Sequence, residues 1–257
     1  MRILTTGINS GIGKYIYEKL GGLALTRSTT LEEWKELKNK GADIIIHCAF
    51  NSQKTVNTQT LYQYLNDNVL LTKELALIPH KKFIFMSSID VYPTNIGPHS
   101  EEEVLNIDSK LGMYGITKLM SEAIIKNFCN NYLILRASAL LGKYSRKNSL
   151  IRMIEDKECK LTLSSNSIFN YVLYPDMLNF IKFSIDNDLK GIYNTVSAEN
   201  ITLSEIAYML QKDISWGEYF YNCGEGEIDN KKSSSFFTPF KKTSKKVILQ
   251  FIRGEYD

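Results

Sequence analysis

Apolar positions in the first half of the chain switch repeatedly between a strand period and a helix period. Residues 2–6 form a short apolar run ending in Thr6-Gly7, and Ile12, Ile16 and Leu20 then recur every four residues, the spacing of one helical face. Residues 23–26 read as a second strand. Thr30 followed by Glu33 is a capping-box pattern, and Leu31, Trp34 and Leu37 supply the buried stripe of the helix it opens. Residues 43–48 are a nearly continuous apolar run, as expected of a strand covered on both faces. A helical stretch over about 57–77 follows, and 83–86 is strand-like again.

Such alternation predicts an α/β protein: a doubly wound parallel sheet with right-handed crossovers and helices on both faces. Ligands of these sheets bind at the carboxyl ends of the strands, here just after Thr6, Thr26, Cys48, Met86 and Ala137. Beyond about residue 143 the pattern loses regularity. Thr202 with Glu205 gives a second capping box before Ile206 and Leu210, and Tyr193 to Val196 looks like a late strand. The expected organisation is a dinucleotide-binding domain over 1–145 and a smaller lobe over 146–257, with about 170–200 returning to the first domain. Residues 231–253 hold seven basic and no acidic residues, together with Phe236, Phe237 and Phe240, and read as a loop-rich, solvated basic segment.

Composition narrows the class without naming a chemistry. The chain has 257 residues, 44% hydrophobic, enough for one large domain or one plus a small lobe. Thirty-one Lys and Arg against 28 Asp and Glu leave a net charge of +3, which asks for no nucleic-acid partner. No apolar stretch approaches the roughly 20 residues of a membrane span, and no secretion signal opens the chain, so a cytoplasmic protein with no membrane partner is expected. Cys48, Cys129, Cys159 and Cys223 form no CxxC pair, which argues against a disulfide framework or a metal site. His47 is expected to be a packed core histidine, and His80 and His99 to be exposed.

Chemistry enters at the first strand end. Gly7, Asn9, Ser10, Gly11, Ile12 and Gly13 lie between a strand and an amphipathic helix. Glycines there permit a tight turn and close approach of backbone to a pyrophosphate, which the helix N-terminus attracts through free N–H groups. At the end of the second strand an acidic residue would read a ribose 2′-hydroxyl. The chain instead has Thr26-Arg27-Ser28, and Arg27 can pair with a 2′-phosphate, which favours NADP, with NAD as the alternative. Ser88 follows the fourth strand, and Tyr114 and Lys118 stand four apart on a helix, on one face. A nearby ammonium favours a phenolate, and a serine hydroxyl can hold a carbonyl oxygen.

With these residues in hand, the chain resembles the extended short-chain dehydrogenases/reductases, the NAD-dependent epimerase/dehydratase family that acts on nucleotide-linked sugars. Asp43-Ile-Ile-Ile-His47-Cys-Ala49 is similar to that family's third strand, Ser87-Ser88-Ile-Asp90-Val-Tyr92 to its S-S-x-x-V-Y, and Tyr114-Gly-Ile-Thr-Lys118-Leu-Met-Ser-Glu122 to its Y-G-x-[ST]-K-x-x-x-E. Leu135-Arg136, the segment 169–176 and Gly191-Ile-Tyr-Asn194 resemble later family segments in the same order. The resemblance implies a Rossmann domain with a small C-terminal substrate-binding lobe. It implies that Ser88 and Tyr114 are catalytic and that Lys118 holds the nicotinamide ribose and lowers the tyrosine pKa. Asn68, Cys48, Ala49 and Phe50 would lie beside the cofactor, and a homodimer would form through the helix carrying Tyr114.

Two departures carry information. Gly7, Gly11 and Gly13 are spaced G-x-x-x-G-x-G, as in the simpler single-domain branch. Ile89-Asp90 stands where the sugar dehydratases have Asp-Glu, and losing the first carboxylate disfavours dehydration, which needs both an acid and a base. Asp90, Tyr92 and Arg146 are the candidate substrate contacts, with Lys143, Lys147, Lys241, Lys242 and Arg253 as further candidates for a diphosphate. The loop over 92–108 is the candidate wall of the sugar pocket. The expected activity is NADP-dependent reduction of a keto group on a nucleotide sugar. Alternatives are an epimerase that retains NAD and a non-catalytic NADP-sensing regulatory protein.

Overall fold

The computed structural model describes residues 1–53, 55–93, 98–107, 111–222 and 228–256. Six strands form the central sheet: β1 (Ile3–Thr6), β2 (Leu23–Leu25), β3 (Ala42–His47), β4 (His80–Ser88), β5 (Tyr132–Ala137) and β6 (Gly191–Thr195). Their spatial order is β6-β5-β4-β3-β1-β2 and every pairing is parallel. The chain therefore winds outward from β1 to β2, crosses back, and continues from β3 the other way. That reversal opens a crevice at the carboxyl ends of β1 and β3.

Strand interiors are apolar on both faces because helices cover both. Ile44, Ile46, Ile84, Leu133 and Leu135 pack on one side with Ile16, Met177 and Phe180, and Leu4, Ile45, Phe83, Phe85 and Ile134 on the other with Leu37, Leu75 and Ile125. The two predicted capping boxes are present, Thr30 with Glu33 before the Leu31–Lys40 helix and Thr202 with Glu205 before Leu203–Leu210.

After Ala137 the chain leaves the sheet and returns to it at β6. A second apolar cluster, including Leu150, Met153, Leu161, Tyr171, Leu203, Ile206, Val247 and Ile248, forms the core of the C-terminal lobe. The basic segment differs from the loop expected of it. Ser244–Ile252 is a helix capped by Thr243, with Val247 and Ile248 buried in the lobe core, while Phe237 and Phe240 pack on Phe180 in the main core. Lysines at 231, 232, 241, 242, 245 and 246 are read as surface charge, and they masked this apolar stripe. His99 is also corrected: it is fully buried, stacked on Tyr92 and bonded to Glu103 and the Pro93 carbonyl. His80 is half-buried and bonds the Ile78 carbonyl. Cys223 and parts of the 92–108 loop lie outside the described residues. No helix among the described residues is long and apolar enough to cross a membrane.

Candidate active site

A cavity of about 850 Å³ opens along the carboxyl ends of β1 to β5. Its floor at one end is the glycine turn. Gly7 and Gly11 have φ of +74° and +60°, and a Cβ on Gly7 would lie 2.7 Å from the Ala49 nitrogen. Gly13 is required for a different reason: its Cβ would meet the Gly7 carbonyl oxygen at 2.5 Å, so only glycine lets the Gly11–Leu20 helix start against the turn. Ser10 makes no side-chain cap, so the first-turn N–H groups stay free at the cavity edge.

The β1 and β3 ends are locked together beneath this turn. Thr6 Oγ1 accepts the backbone N–H groups of Cys48 (3.2 Å) and Ala49 (3.0 Å) and donates to His47 Nδ1 at 2.8 Å. His47 Nε2–H then donates to Thr72 Oγ1 at 3.0 Å, and Thr72 to the Asn68 carbonyl at 2.8 Å. Burial pulls the His47 pKa down to about 3, so it stays neutral, a packed core histidine as expected. Burial likewise pushes the Cys48 thiol up to about 12.

Asn68 sits in a π-helical turn, Asn66–Leu70, inside the helical stretch predicted over 57–77. Its Oδ1 accepts the Asn51 N–H at 2.7 Å and its Nδ2 donates to the Asn51 carbonyl at 3.2 Å, pinning the loop that follows β3. Asn68 itself is buried behind that loop rather than on the cavity wall, while Cys48, Ala49 and Phe50 are on it. Arg27 lines the same end, its side chain 86% exposed and paired with Asp67 at 2.9 Å.

Ser88, Tyr114 and Lys118 converge in the middle of the cleft. β4 delivers Ser88, and the Met113–Phe128 helix delivers the other two one turn apart. Gly115 makes the approach possible, since a Cβ there would lie 2.1 Å from the Asp90 carbonyl oxygen. The Ser88 hydroxyl acts on the Tyr114 oxygen in the sense that favours a phenolate, and Phe50 stands edge-on against the Tyr114 ring at 4.8 Å. Lys118 is 3% exposed, packed over Phe50 and Phe85, and donates to the Met86 carbonyl at 2.7 Å.

The electrostatics differ from the expected lysine-activated tyrosine. Tyr114 is 37% exposed as a residue, but burial of its hydroxyl, and then the Asp90 carboxylate, push that hydroxyl up from its usual value, outweighing the Ser88 hydrogen bond. Burial pulls Lys118 down to about 7. The ammonium is 5.8 Å from the Tyr114 ring centre and directs one N–H to a backbone carbonyl. Tyr114 is thus held as a neutral phenol, an acid rather than a base. A lysine whose folded pKa lies below its unfolded value of about 10.4 destabilises the fold fully at low pH, and that penalty lifts as pH rises from about 7 to about 10. Lys118→Met is therefore expected to raise the stability of the ligand-free protein, on the order of 3 kcal/mol at pH 6 before the loss of the Met86 contact, and to change it little at pH 10. Thermal unfolding at the two pH values measures this; equal shifts at both would contradict it.

Of the candidate substrate contacts, Asp90 and Arg146 line the cavity. Arg146 donates to Ser10 Oγ and Ser52 Oγ, bridging the glycine turn and the loop after β3. Tyr92 does not face the cleft. Its hydroxyl is buried below it, accepting from Arg136 at 2.9 Å and donating to Asn194 Oδ1 at 2.8 Å. Lys147 is paired with Asp156 and Lys242 with Asp176, so neither charge is free for a diphosphate. Three residues of the site were given no role in the sequence reading. Tyr221 bonds Asp90 Oδ1 at 3.0 Å from the far lobe, Tyr174 lines the cleft opposite Gly11, and Glu122 accepts from Ser87 at 2.6 Å while pairing with Arg136. Glu122 was visible as the last residue of the Y-G-x-[ST]-K-x-x-x-E pattern; nothing local marks the two tyrosines.

A parallel sheet wound about a glycine turn, with Ser, Tyr and Lys at its strand ends, defines a class of dinucleotide-binding fold. The profile of the NAD dependent epimerase/dehydratase family matches residues 3–195, and the chain belongs to that family. No curated protein matches it by sequence. Among solved structures it is similar to a dTDP-4-dehydrorhamnose reductase from Bacillus anthracis in complex with NADP (18% identity, 98% of each chain, TM-score 0.80). It is also similar to a Bacillus cereus UDP-glucuronic acid 4-epimerase in complex with UDP-glucuronic acid and NAD (19% identity, 100% of this chain and 98% of that one, TM-score 0.76). A third is a Bacillus anthracis dTDP-glucose 4,6-dehydratase in complex with NAD (18% identity, 99% and 96%, TM-score 0.74).

Proposed function

We propose that the protein reduces a keto group on a nucleotide-activated sugar, with NADP(H) as its cofactor. The observation that carries this reading is that Ser88, Tyr114 and Lys118 line the same cleft as the glycine cradle. The cradle fits a pyrophosphate, because the space a Cβ would fill at Gly7 and Gly13 is taken by backbone and the first-turn N–H groups of the following helix are unpartnered by side chains. Bound there, the dinucleotide supplies the hydride. Tyr114 gives its proton to the carbonyl oxygen, Ser88 orients that oxygen, and Lys118 and Phe50 line the chamber beside them. Ile89 in place of the first of the two dehydratase carboxylates leaves the acid–base pair that expels a hydroxyl incomplete, which supports reduction over dehydration.

The test is a panel of keto-sugar nucleotides, dTDP-4-dehydrorhamnose among them, followed by absorbance loss of NADPH or NADH. Steady consumption with one panel member is expected; none with any would overturn the reading. NADPH is expected to be preferred, and Arg27→Ala to narrow that preference about tenfold through loss of a phosphate partner. A second reading, an epimerase that retains NAD, is favoured by Asp67, whose carboxylate stands beside Arg27 at that end of the cleft and suits a ribose hydroxyl. NAD co-purifying with the protein and no net NADPH consumption would decide for it.

A homodimer is part of the same proposal. Met113, Met120 and Phe128 are exposed along one helix, and Tyr62, Leu70 and Leu77 along the helical stretch packed beside it, each set spaced seven or eight residues apart. A second copy facing the same surface would cover both stripes. Met120→Glu is expected to give a monomer by sedimentation, whereas an unchanged sedimentation coefficient would exclude this face.

A further inference from the structure

The chain has six arginines, and five of them, at 2, 27, 136, 152 and 253, face a carboxylate. Arg146 alone has no anionic partner among the described residues. Its Nη2 donates to Ser10 Oγ at 3.2 Å and its Nη1 to Ser52 Oγ, across 136 and 94 residues of sequence. Ser10 precedes the Gly11–Leu20 helix without capping it, and Ser52 lies in the loop after β3. An unpaired guanidinium therefore spans two walls of the cradle, at the helix end whose free N–H groups already attract an anion. Two neutral hydroxyls use this fork poorly, since its geometry and charge match a pair of anionic oxygens.

The segment that carries Arg146 is seated on the same helix. The Tyr144 hydroxyl donates to Glu18 Oε2 at 2.6 Å, and the Lys14 ammonium stands over the Tyr144 ring at 4.2 Å. Gly142 starts the segment flush against Tyr174, because a Cβ there would lie 2.3 Å from that ring, and the Gly142 N–H donates to Ser145 Oγ at 2.7 Å. Residues 142–146 thus form a strap that runs from the Ala139–Leu141 strand onto the glycine end of the cleft. We propose that Arg146 is a pyrophosphate clamp: its guanidinium exchanges the Ser10 and Ser52 hydroxyls for phosphate oxygens of the bound dinucleotide, tying the strap and the lobe behind it to the cofactor. The sugar end of the cleft is bridged separately, by Tyr221 on Asp90, and Arg146 bonds neither of these residues. Its place beside the glycine turn assigns it to the cofactor rather than to the diphosphate of the sugar nucleotide.

The clamp rests on the dinucleotide half of the reductase reading and not on which sugar reaction follows, so its test needs no turnover. NADPH and NADH are titrated by fluorescence, and ADP-ribose and adenosine by displacement of NADPH, with the wild type and with Arg146→Ala. The variant is expected to bind NADPH, NADH and ADP-ribose each about tenfold more weakly. Its preference between NADPH and NADH is expected to stay within about twofold of the wild type, because both carry the pyrophosphate, and adenosine, which has no phosphate, is expected to bind unchanged. Raising NaCl from about 50 mM to about 500 mM is expected to shrink the wild-type advantage to about threefold, because salt screens a charge at an open cleft. Arg146→Lys keeps the charge without the fork and is expected to recover part of the loss. Dinucleotide affinities within about twofold of the wild type would overturn the clamp, and weakened UDP-glucose binding alongside them would return Arg146 to the substrate. A loss shared by adenosine, or one that salt does not reduce, would also overturn it, since it would mean that the strap only packs. A wild type that binds neither NADPH nor NADH would refute the dinucleotide reading and the clamp with it, whereas binding that Arg146→Ala leaves intact refutes the clamp alone.

Discussion

Tyr114→Phe is expected to lower turnover about 1,000-fold while leaving cofactor affinity within about twofold of the parent. The substitution removes one oxygen. The ring keeps its edge-on packing against Phe50, 4.8 Å between centres, and the glycine cradle is untouched. What disappears is the phenol that the site keeps protonated by burial and by the neighbouring Asp90 charge. Without it a carbonyl oxygen must take its proton from water or from Ser88, whose own hydrogen is committed to Asp90. Stopped-flow reduction of a keto-sugar nucleotide with NADPH, beside a fluorescence titration of NADPH, separates the two effects. A variant that binds and turns over like the parent would remove Tyr114 from the chemistry.

The contrast between Tyr114 and Tyr221 shows what a linear sequence can disclose about such a site. Tyr114 and Lys118 are four apart on a helix, so covalent geometry alone puts them on one face, and the strand before them fixes Ser88 at a sheet edge. Tyr221 reaches Asp90 across 131 residues through a lobe whose strands, Cys159–Lys160, Ile168–Phe169, Ile201–Thr202 and Ile214–Ser215, are two residues long. Two residues carry no period, so neither the lobe's topology nor its contribution to the cleft could be read. The Rossmann half was legible for the opposite reason: its strands alternate with amphipathic helices, and Thr30 with Glu33 marks one helix start by itself. Burial was the least legible quantity. Lys118 was expected to stabilise a phenolate, but the Phe50 and Phe85 rings that enclose it come from two other segments, and they weaken its charge instead.

The same gap between motif and environment gives the second large effect. Glu122 and Arg136 look like unremarkable members of two family patterns, yet they are 1% and 2% exposed and form a two-pronged pair, Nη2 to Oε2 at 2.7 Å and Nε to Oε1 at 3.1 Å. The pair lies directly under the cleft. Glu122 Oε1 also accepts from Ser87, next to Ser88, and Arg136 also donates to Tyr92, whose hydroxyl continues to Asn194 on β6. Glu122→Gln leaves a buried guanidinium without its counter-charge and is expected to cost about 3–5 kcal/mol. For a chain of this size that is a fall in Tm on the order of 10 °C. Arg136→Met alone strands the carboxylate and is expected to cost a similar amount, whereas the double variant Glu122→Gln/Arg136→Met leaves no buried charge and is expected to recover more than half of the loss. Calorimetry of the three variants distinguishes a pair that is coupled from two charges that act separately. If the double loss equals the sum of the single ones, the floor of the site is not held by this pair.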